Sequence, residues 1–144
     1  MTSPWSLHRA NGHGQPEVLD VGECRRLLGS HRVGRLAYSG PFGPRIVPLN
    51  YALVDQVLLF RTSPDSDAAR EVPGRWVAFE VDDLDEFLQS GWSVQVQGVA
   101  ELLPLDAIRM LDVPLTPQPW AGGDRSLILR VPLTTVTGRR VLSS

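Results

Sequence analysis

Apolar and polar residues alternate along several short segments of the chain. The alternation is clearest at WVAFEV (residues 76–81) and GWSVQVQG (residues 91–98), and it recurs at RIVPLNY (residues 45–51). A period of two is typical of β-strands that bury one face. A closed sheet fills its interior with that face, so polar residues on the other face need water or a ligand. The pattern therefore predicts a small barrel with a binding surface on its outside.

Shorter apolar runs bounded by turn residues predict the remaining strands. These strands lie at residues 33–38, 57–62, 127–131 and 136–142, and the strand at 91–98 is expected to bend at Gly98 and continue to residue 103. Six or more strands with helices only at the connections favour an antiparallel barrel over a nucleotide-binding βαβ fold.

Single residues add detail to this barrel. Asp55 and Gln56 are expected to form a hairpin turn. Pro48 has no amide hydrogen and is expected at an edge or a bulge. Phe79 and its alternate neighbours are expected to face the interior, while Glu80 faces outward and tolerates glutamine.

Helices are predicted at the connections. DVGE (residues 20–23) has the spacing of a capping box, and Gly29 is expected to end that helix. SPDSD (residues 63–67) is typical of a helix start, and residues 105–111 have helical amphipathic spacing. Residues 82–89 are predicted to form an acidic loop or a short helix.

Length and composition limit the classes of function. The chain has 144 residues, of which 42% are apolar and 21% charged, as in an ordinary globular domain. Residues 1–16 are predicted to form a flexible arm and residues 17–144 the domain. No apolar run reaches the roughly 20 residues of a membrane helix and no signal peptide is recognisable, so a cytoplasmic protein without a membrane partner is expected. The net charge of −2 argues against a nucleic-acid partner.

The basic residues also restrict the chemistry. The chain has fourteen arginines and no lysine. Schiff-base chemistry is therefore excluded, and an anion has to be bound by arginine, hydroxyl or backbone N–H groups. The single cysteine, Cys24, cannot form an internal disulfide and is interpreted as a packing residue.

Four short motifs occur in an order known from one protein family. They are VGRLA (residues 33–37), RIVPLN (residues 45–50), FRT (residues 60–62) ahead of a short helix, and WAGG (residues 120–123) with Arg130 ten residues after Trp120. Over residues 21–141 the chain resembles the pyridoxamine 5′-phosphate oxidase-like family of flavin-binding proteins, in particular its small actinobacterial-type members. The resemblance implies a split antiparallel β-barrel of six or more strands, mainly β with short helices.

The resemblance also implies a cofactor site. In that family two chains pack barrel to barrel as a homodimer, and FMN lies in each of two clefts between them. The matching positions here are Arg45, Val47, Pro48, Asn50, Phe60, Arg61, Thr62, Ser66, Trp120 and Arg130, the last two contributed by the second chain. Arginine and hydroxyl groups suit a phosphate dianion, and apolar faces suit a flavin ring.

One element departs from the family pattern. Where relatives carry a lysine or arginine for the phosphate, this chain has Asp65, Ser66 and Asp67. Carboxylates at that place repel a phosphate by an amount on the order of 1–3 kcal/mol, which is comparable with one charged hydrogen bond. The pyridoxal phosphate-binding signature of the true oxidases is also incomplete, so oxidation of vitamin B6 is not expected.

Three functions stay open on the sequence. The leading one is a dimeric FMN-dependent oxidoreductase of unknown substrate, with no residue assigned as acid or base. The second is a deazaflavin-dependent reductase, since the longer acidic tail of that cofactor favours an arginine-lined groove. The third is a non-catalytic split barrel that binds no cofactor and serves as a binding or scaffold protein.

Overall fold

The alternating segments form one continuous antiparallel sheet. A computed structural model describes residues 16–103, 107 and 127–143. The elements are, in chain order, β1 (Glu17–Val18), α1 (Val21–Leu28), β2 (Val33–Gly40), β3 (Gly43–Val54), β4 (Val57–Thr62), α2 (Asp67–Glu71), β5 (Trp76–Asp85), β6 (Ser90–Val99), β7 (Glu101–Leu102), β8 (Leu127–Pro132) and β9 (Thr135–Val141). Across the sheet the strands follow the order β1-β9-β6-β5-β2-β3-β4-β8-β7.

Phe79 lies at the centre of the barrel core. Its alternate neighbours on β5, Val77 and Val81, are also buried, so the predicted register of this strand is confirmed. The centroid of the Phe79 ring lies 4.7 Å from that of Phe60 and 5.1 Å from that of Tyr51. The inner face of the sheet is therefore filled by side chains from the β3–β4 hairpin and from β5.

Two glycines mark places of close packing. A Cβ atom on Gly34 would lie 2.4 Å from Cζ of Phe79, so core packing explains the glycine of the VGRLA motif. A Cβ atom on Gly98 would lie 2.4 Å from the carbonyl oxygen of Pro132, at the end of β8. Because β6 and β8 lie in opposite halves of the strand order, this contact curls the sheet into a half-closed barrel. The mainly β split barrel expected from the sequence is confirmed.

β3 changes its partner strand along its length. Residues 43–50 pair with β2, and residues 51–54 pair with β4. Pro48 lies in the first part, where the described residues give β3 a neighbouring strand on one side, as expected for a residue without an amide hydrogen. The split between the two halves of the sheet therefore opens beside the RIVPLN motif.

α1 begins as the sequence predicts but uses its glutamate differently. The Asp20 carboxylate accepts a hydrogen bond of 2.8 Å from the backbone N–H of Glu23, and Gly29 is the C-cap. The Glu23 carboxylate binds Arg26 and Arg140, each at 2.7 Å, and so ties α1 to β9. Cys24 is completely buried, in agreement with a packing role.

The structure corrects the prediction for residues 82–89. β5 continues through Asp85, and only residues 86–89 form the turn into β6. The acidic side chains do not interrupt pairing because Asp83 lies opposite Trp92 and Asp85 opposite Ser90, at an exposed hairpin end. The turn between β2 and β3 is likewise shorter than expected, since β2 reaches Gly40 and β3 starts at Gly43. The helix predicted at 105–111 lies outside the described residues except for residue 107.

Candidate functional site

Two arginines from different elements share one carboxylate beside the split. Arg45 Nη1, on β3, lies 3.2 Å from Asp67 Oδ2, and Arg70, one turn further along α2, binds the other carboxylate oxygen of Asp67. Arg70 also donates a hydrogen bond of 2.8 Å to the carbonyl oxygen of Asp65. All three charged side chains are about half exposed, so the group is an accessible cluster with one net positive charge. We call Arg45, Asp67 and Arg70 the rim cluster.

The rim cluster changes the interpretation of the acidic element. The sequence predicts carboxylates in place of the family's phosphate-binding cation, whereas the structure pairs Asp67 with two cations. The sequence motifs do not predict Arg70 as a site residue, because it lies outside the acidic stretch at residues 65–67. Its spacing of three residues from Asp67 on a helix start was the available signal.

Thr62 and Ser66 connect β4 to α2 through their hydroxyl groups. Thr62 is 1% exposed, and its Oγ1 lies 2.8 Å from Ser66 Oγ. Ser66 donates its single hydroxyl proton to the carbonyl oxygen of Ser63 at 2.8 Å, so Thr62 is the donor in its contact with Ser66. Ser66 also accepts from the backbone N–H of Ala69 as the N-cap of α2. Both hydroxyls therefore position α2, and with it Asp67 and Arg70.

The other predicted site residues divide between the two faces of the sheet. Phe60 is fully buried and can offer only backbone atoms to a ligand, whereas Val47 is partly buried against the core. Pro48, Asn50 and Arg61 alternate with buried residues and therefore lie on the outer face. The structure thus does not gather the whole predicted set into one pocket of a single chain.

Arg61 and Arg130 lie on the outer side of β4 and β8. Arg130 is paired with Leu59 across these strands, and its Nη1 lies 3.7 Å from Oε2 of Glu101 on β7. Arg61 Nε is buried and has no hydrogen-bond acceptor among the described residues. The site therefore contains a buried donor that suits an anionic or carbonyl acceptor. Trp120, predicted to act with Arg130, lies outside the described residues.

A second charged cluster lies on the outer face of β2 and β5. Arg35 Nη1 is 3.1 Å from Asp82 Oδ2 and 3.7 Å from Glu80 Oε1. Burial, and then the hydrogen bond and charge of Asp82, raise the pKa of Glu80 to about 7 against the opposing effect of Arg35. Pro48 is directly opposite Arg35, and Arg35 is opposite Glu80. The cluster therefore shares one face with the predicted cofactor strand.

Ser30, His31 and Asp83 form a contact chain that resembles a nucleophile triad in composition. His31 Nδ1 lies 2.9 Å from Ser30 Oγ, and His31 Nε2 lies 3.2 Å from Asp83 Oδ2. The Ser30 hydroxyl, however, donates its proton to the carbonyl oxygen of Leu27 at 2.6 Å. Since that proton is not directed at the imidazole, histidine cannot activate the serine as a base would. The chain instead links the end of α1 to the β5–β6 hairpin.

Two further reactive side chains are structural. Burial, followed by the charges of Asp20 and Glu23, raises the pKa of the Cys24 thiol, which disfavours a nucleophilic thiolate. Burial also raises the pKa of Tyr51, whose hydroxyl donates to the carbonyl oxygen of Leu28. Neither group can serve as an acid or base near neutral pH.

The described residues hold neither a metal-binding cluster nor a membrane-spanning helix. No group of three or more histidine, cysteine, aspartate or glutamate side chains is placed to hold a metal ion in the described part of the chain. No helix among residues 16–103, 107 and 127–143 is long and apolar enough to cross a membrane.

Known proteins with the same fold and related sequences are found in bacteria. The chain is 32% identical to the uncharacterized protein Rv0080 of Mycobacterium tuberculosis, over 98% of this chain and 96% of that protein. The FAD binding protein from Mycobacterium smegmatis superposes with a TM-score of 0.67 at 29% identity, covering 87% of this chain and 97% of that one. An FAD-binding protein from Mesorhizobium loti gives a TM-score of 0.68 at 25% identity, covering 89% and 98%.

The family model for pyridoxamine 5′-phosphate oxidase matches residues 20–140. That span includes strands β2 to β8 and all of β9 except its last residue, and it contains both the rim cluster and the outer cluster of Arg35, Glu80 and Asp82. The match extends over most of the chain and agrees with the split-barrel fold, so this protein belongs to the pyridoxamine 5′-phosphate oxidase family.

Proposed function

We propose that this protein binds a flavin nucleotide between two copies of the chain and acts as an oxidoreductase. The observation that carries the proposal is the rim cluster, in which Arg45 and Arg70 converge on one carboxylate beside the split. Two similar proteins, from Mycobacterium smegmatis and Mesorhizobium loti, are FAD-binding proteins, which supports a flavin as the ligand. FMN is the proposed form, with FAD as the alternative to be tested beside it.

The described residues fit the phosphate of such a cofactor. Two guanidinium groups offer paired N–H donors, which is the arrangement that binds phosphate most strongly. Asp67 neutralises half of this positive charge, so a phosphate has to compete with it for the same donors. We expect measurable phosphate binding that is weaker than two arginines would give without a competing carboxylate. The unpartnered Nε of Arg61 is a further donor for the cofactor or for the second chain.

When bound, the flavin supplies the hydride or electron transfer. In the proposal the chain's own residues bind and orient it. Arg45 and Arg70 hold the phosphate, and the exposed side of β3 at Pro48 and Asn50 lies beside the ring. Arg130 and Trp120 are contributed by the second chain. The substrate stays open, because the described residues hold no acid–base pair that selects one.

A titration of FMN and of FAD into the cofactor-free protein tests the proposal. We expect Arg45→Ala to weaken binding about tenfold, or about 1.4 kcal/mol, because one charged contact is lost. Asp67→Asn is expected to tighten binding by a similar factor because it removes the competing carboxylate. Arg75→Ala is the matched control, since Arg75 is equally exposed but pairs with Glu71 at 3.6 Å. Failure of wild type and all variants to bind either flavin would overturn the proposal.

One observation favours a second candidate function. Asp67 already pairs with both arginines of the rim cluster. In a protein that no longer binds a cofactor, such a carboxylate would take the place of the phosphate. A folded protein without a visible flavin spectrum and without affinity for FMN, FAD or a deazaflavin would support this non-catalytic role. Binding of the deazaflavin alone would instead support a deazaflavin-dependent reductase.

A further inference from the structure

The first part of β3 has an open edge at the split. Residues 43–50 pair with β2 on one side, and no strand among the described residues pairs with them on the other, because β4 joins β3 only from Tyr51 onward. This edge is much longer than β1 and β7, the two-residue strands at the ends of the sheet. An exposed strand edge carries unpaired N–H and C=O groups and is a template for a further strand. Strand addition is therefore expected here unless some feature of the edge prevents it.

The side chains of this edge do not prevent it. Ile46, Val47 and Tyr51 are β-branched or aromatic residues, which favour strands. Ile46 is 69% exposed. The outward positions 44, 46, 48 and 50 are proline, isoleucine, proline and asparagine, so none carries the charge that protects many edges. Protection of this edge therefore has to come from the backbone.

The direction of the backbone groups follows from one hydrogen bond. Tyr51 donates its backbone N–H to the carbonyl oxygen of Arg32 at 2.9 Å. The pairing of β3 with β2 runs without a break from there to the pair of Gly40 and Gly43, and in an antiparallel pair alternate residues exchange hydrogen bonds with the neighbour. The odd-numbered residues of β3 therefore bond to β2, and the even-numbered residues direct their backbone groups to the open edge.

Two of the residues that face the open edge are prolines. Pro44 and Pro48 have no N–H, so Ile46, between them, is the only one of the three that offers an amide hydrogen to that side. A strand that paired here would exchange two hydrogen bonds with each facing residue, and its carbonyl groups opposite the prolines would find no donor. The prolines remove no hydrogen bond from the sheet, because they lie opposite Ser39 and Arg35 in pairs that exchange none with β2.

We propose that Pro44 and Pro48 close the open edge of β3 to a further strand and so keep the split accessible. The proposal concerns the edge itself and does not depend on the proposed flavin. A strand added along this edge would lie beside Arg45, the β3 member of the rim cluster. The edge still offers three carbonyl oxygens and one N–H, from Pro44, Ile46 and Pro48. This set can accept hydrogen bonds from a small ligand but cannot form a ladder with a strand.

Replacing both prolines by valine tests the proposal. Pro44→Val/Pro48→Val restores two N–H groups with a side chain that favours strands, and it breaks no bond to β2. We expect the cofactor-free double variant to assemble reversibly as its concentration rises, because the edges of two copies can then pair. Its weight-average mass from light scattering should exceed that of wild type at least about twofold. Pro64→Val is the matched control and should behave as wild type, since Pro64 is exposed and lies in the turn before α2, outside any strand.

Two further measurements distinguish edge pairing from aggregation of an unfolded chain. Ile46→Lys, added to the double variant, places a charge on the same edge and should restore the wild-type mass. Amide hydrogen exchange followed by NMR should show the Ile46 amide exchanging freely in wild type, while the Val47 amide is protected by its bond to β2. In the assembled double variant the Ile46 amide should become protected.

Each outcome supports or overturns the proposal. A folded double variant that keeps the wild-type mass at every concentration overturns it, and so does assembly that the added lysine leaves unchanged. Equal protection of the Ile46 and Val47 amides in wild type would show that the edge is not open, which also overturns it. If circular dichroism shows that the double variant is unfolded, Pro48→Val alone makes the same comparison with one restored N–H. Flavin binding or its absence changes none of these results, so the proposed function is decided separately.

Discussion

Alternate residues of β5 face two different environments. Val77, Phe79 and Val81 are buried in the core, where each contact is apolar and its place follows from the alternating pattern. Glu80 and Asp82 face the other way and compete for one arginine from the neighbouring strand. The inner face is thus held by shape and burial, and the outer face by a charge arrangement that changes with pH. The same strand contributes stability on one side and a titratable surface on the other.

The largest loss of stability is expected at Phe79, on the inner face of β5. Phe79→Ala removes a fully buried ring that contacts Phe60 and Tyr51 and should cost about 3–5 kcal/mol of unfolding free energy. Chemical denaturation monitored by circular dichroism measures this loss. Glu80→Gln, the adjacent outward position, is the control and should remain folded. A larger loss for Glu80→Gln than for Phe79→Ala would reverse the assignment of the two faces.

The next effect is expected at Gly34, on the inner face of β2. A methyl group there would meet the Phe79 ring and the carbonyl oxygen of Glu80, at 2.4 and 2.8 Å, so Gly34→Ala should cost about 1–3 kcal/mol. Gly29→Ala is the matched control, because its Cβ atom would make only ordinary contacts of 3.6 Å and its backbone is helical. Equal midpoints of thermal unfolding for the two variants would show that the core tolerates the methyl group.

The sequence predicts the inner face well and the outer face poorly, for a physical reason. Alternation at Phe79 and the turn at Asp55, which adopts φ 54°, are local properties of the chain and are confirmed. The ion pairs join residues that are distant in sequence: Arg45 and Asp67 are 22 residues apart, Arg35 and Asp82 are 47 apart, and Glu23 and Arg140 are 117 apart. Long side chains find these partners only after the sheet has formed, so no local pattern could assign them.

A smaller change in stability, which depends on pH, is expected at Glu80 on the outer face. Because the pKa of Glu80 is raised from 4.5 to about 7, its favourable neutral form is fully present below about pH 4.5 and is lost as pH rises through about 7. Glu80→Gln should therefore match wild type near pH 4.5. At pH 8 it should be more stable by about 1 kcal/mol, a value reduced for solvent screening because the side chain is 36% exposed.

Denaturant titrations at the two pH values measure this difference. The experiment uses a protein concentration low enough to keep the chain monomeric, so that association does not contribute. Gln97→Ala, an exposed position on β6 where no titratable group is removed, is the control and should change the stability equally at both pH values. A stability difference for Glu80→Gln that is the same at both values would show that the carboxyl does not titrate in this range.

The smallest change in stability is expected at Glu23, whose pKa is lowered whereas that of Glu80 is raised. Hydrogen bonds from Arg26 and then from Arg140 lower its pKa from 4.5 to about 2, so its stabilising contribution is present above about pH 4.5 and is lost as pH falls through about 2. Glu23→Gln should consequently lower the denaturation midpoint slightly at pH 7, with the difference vanishing toward pH 2. Arg140→Gln should reproduce only part of the change, because Arg140 joins Glu23 to β9 while Arg26 still pairs with the same carboxylate. If the difference persisted at the lowest pH, packing of the glutamate stem rather than its charge would connect α1 to β9.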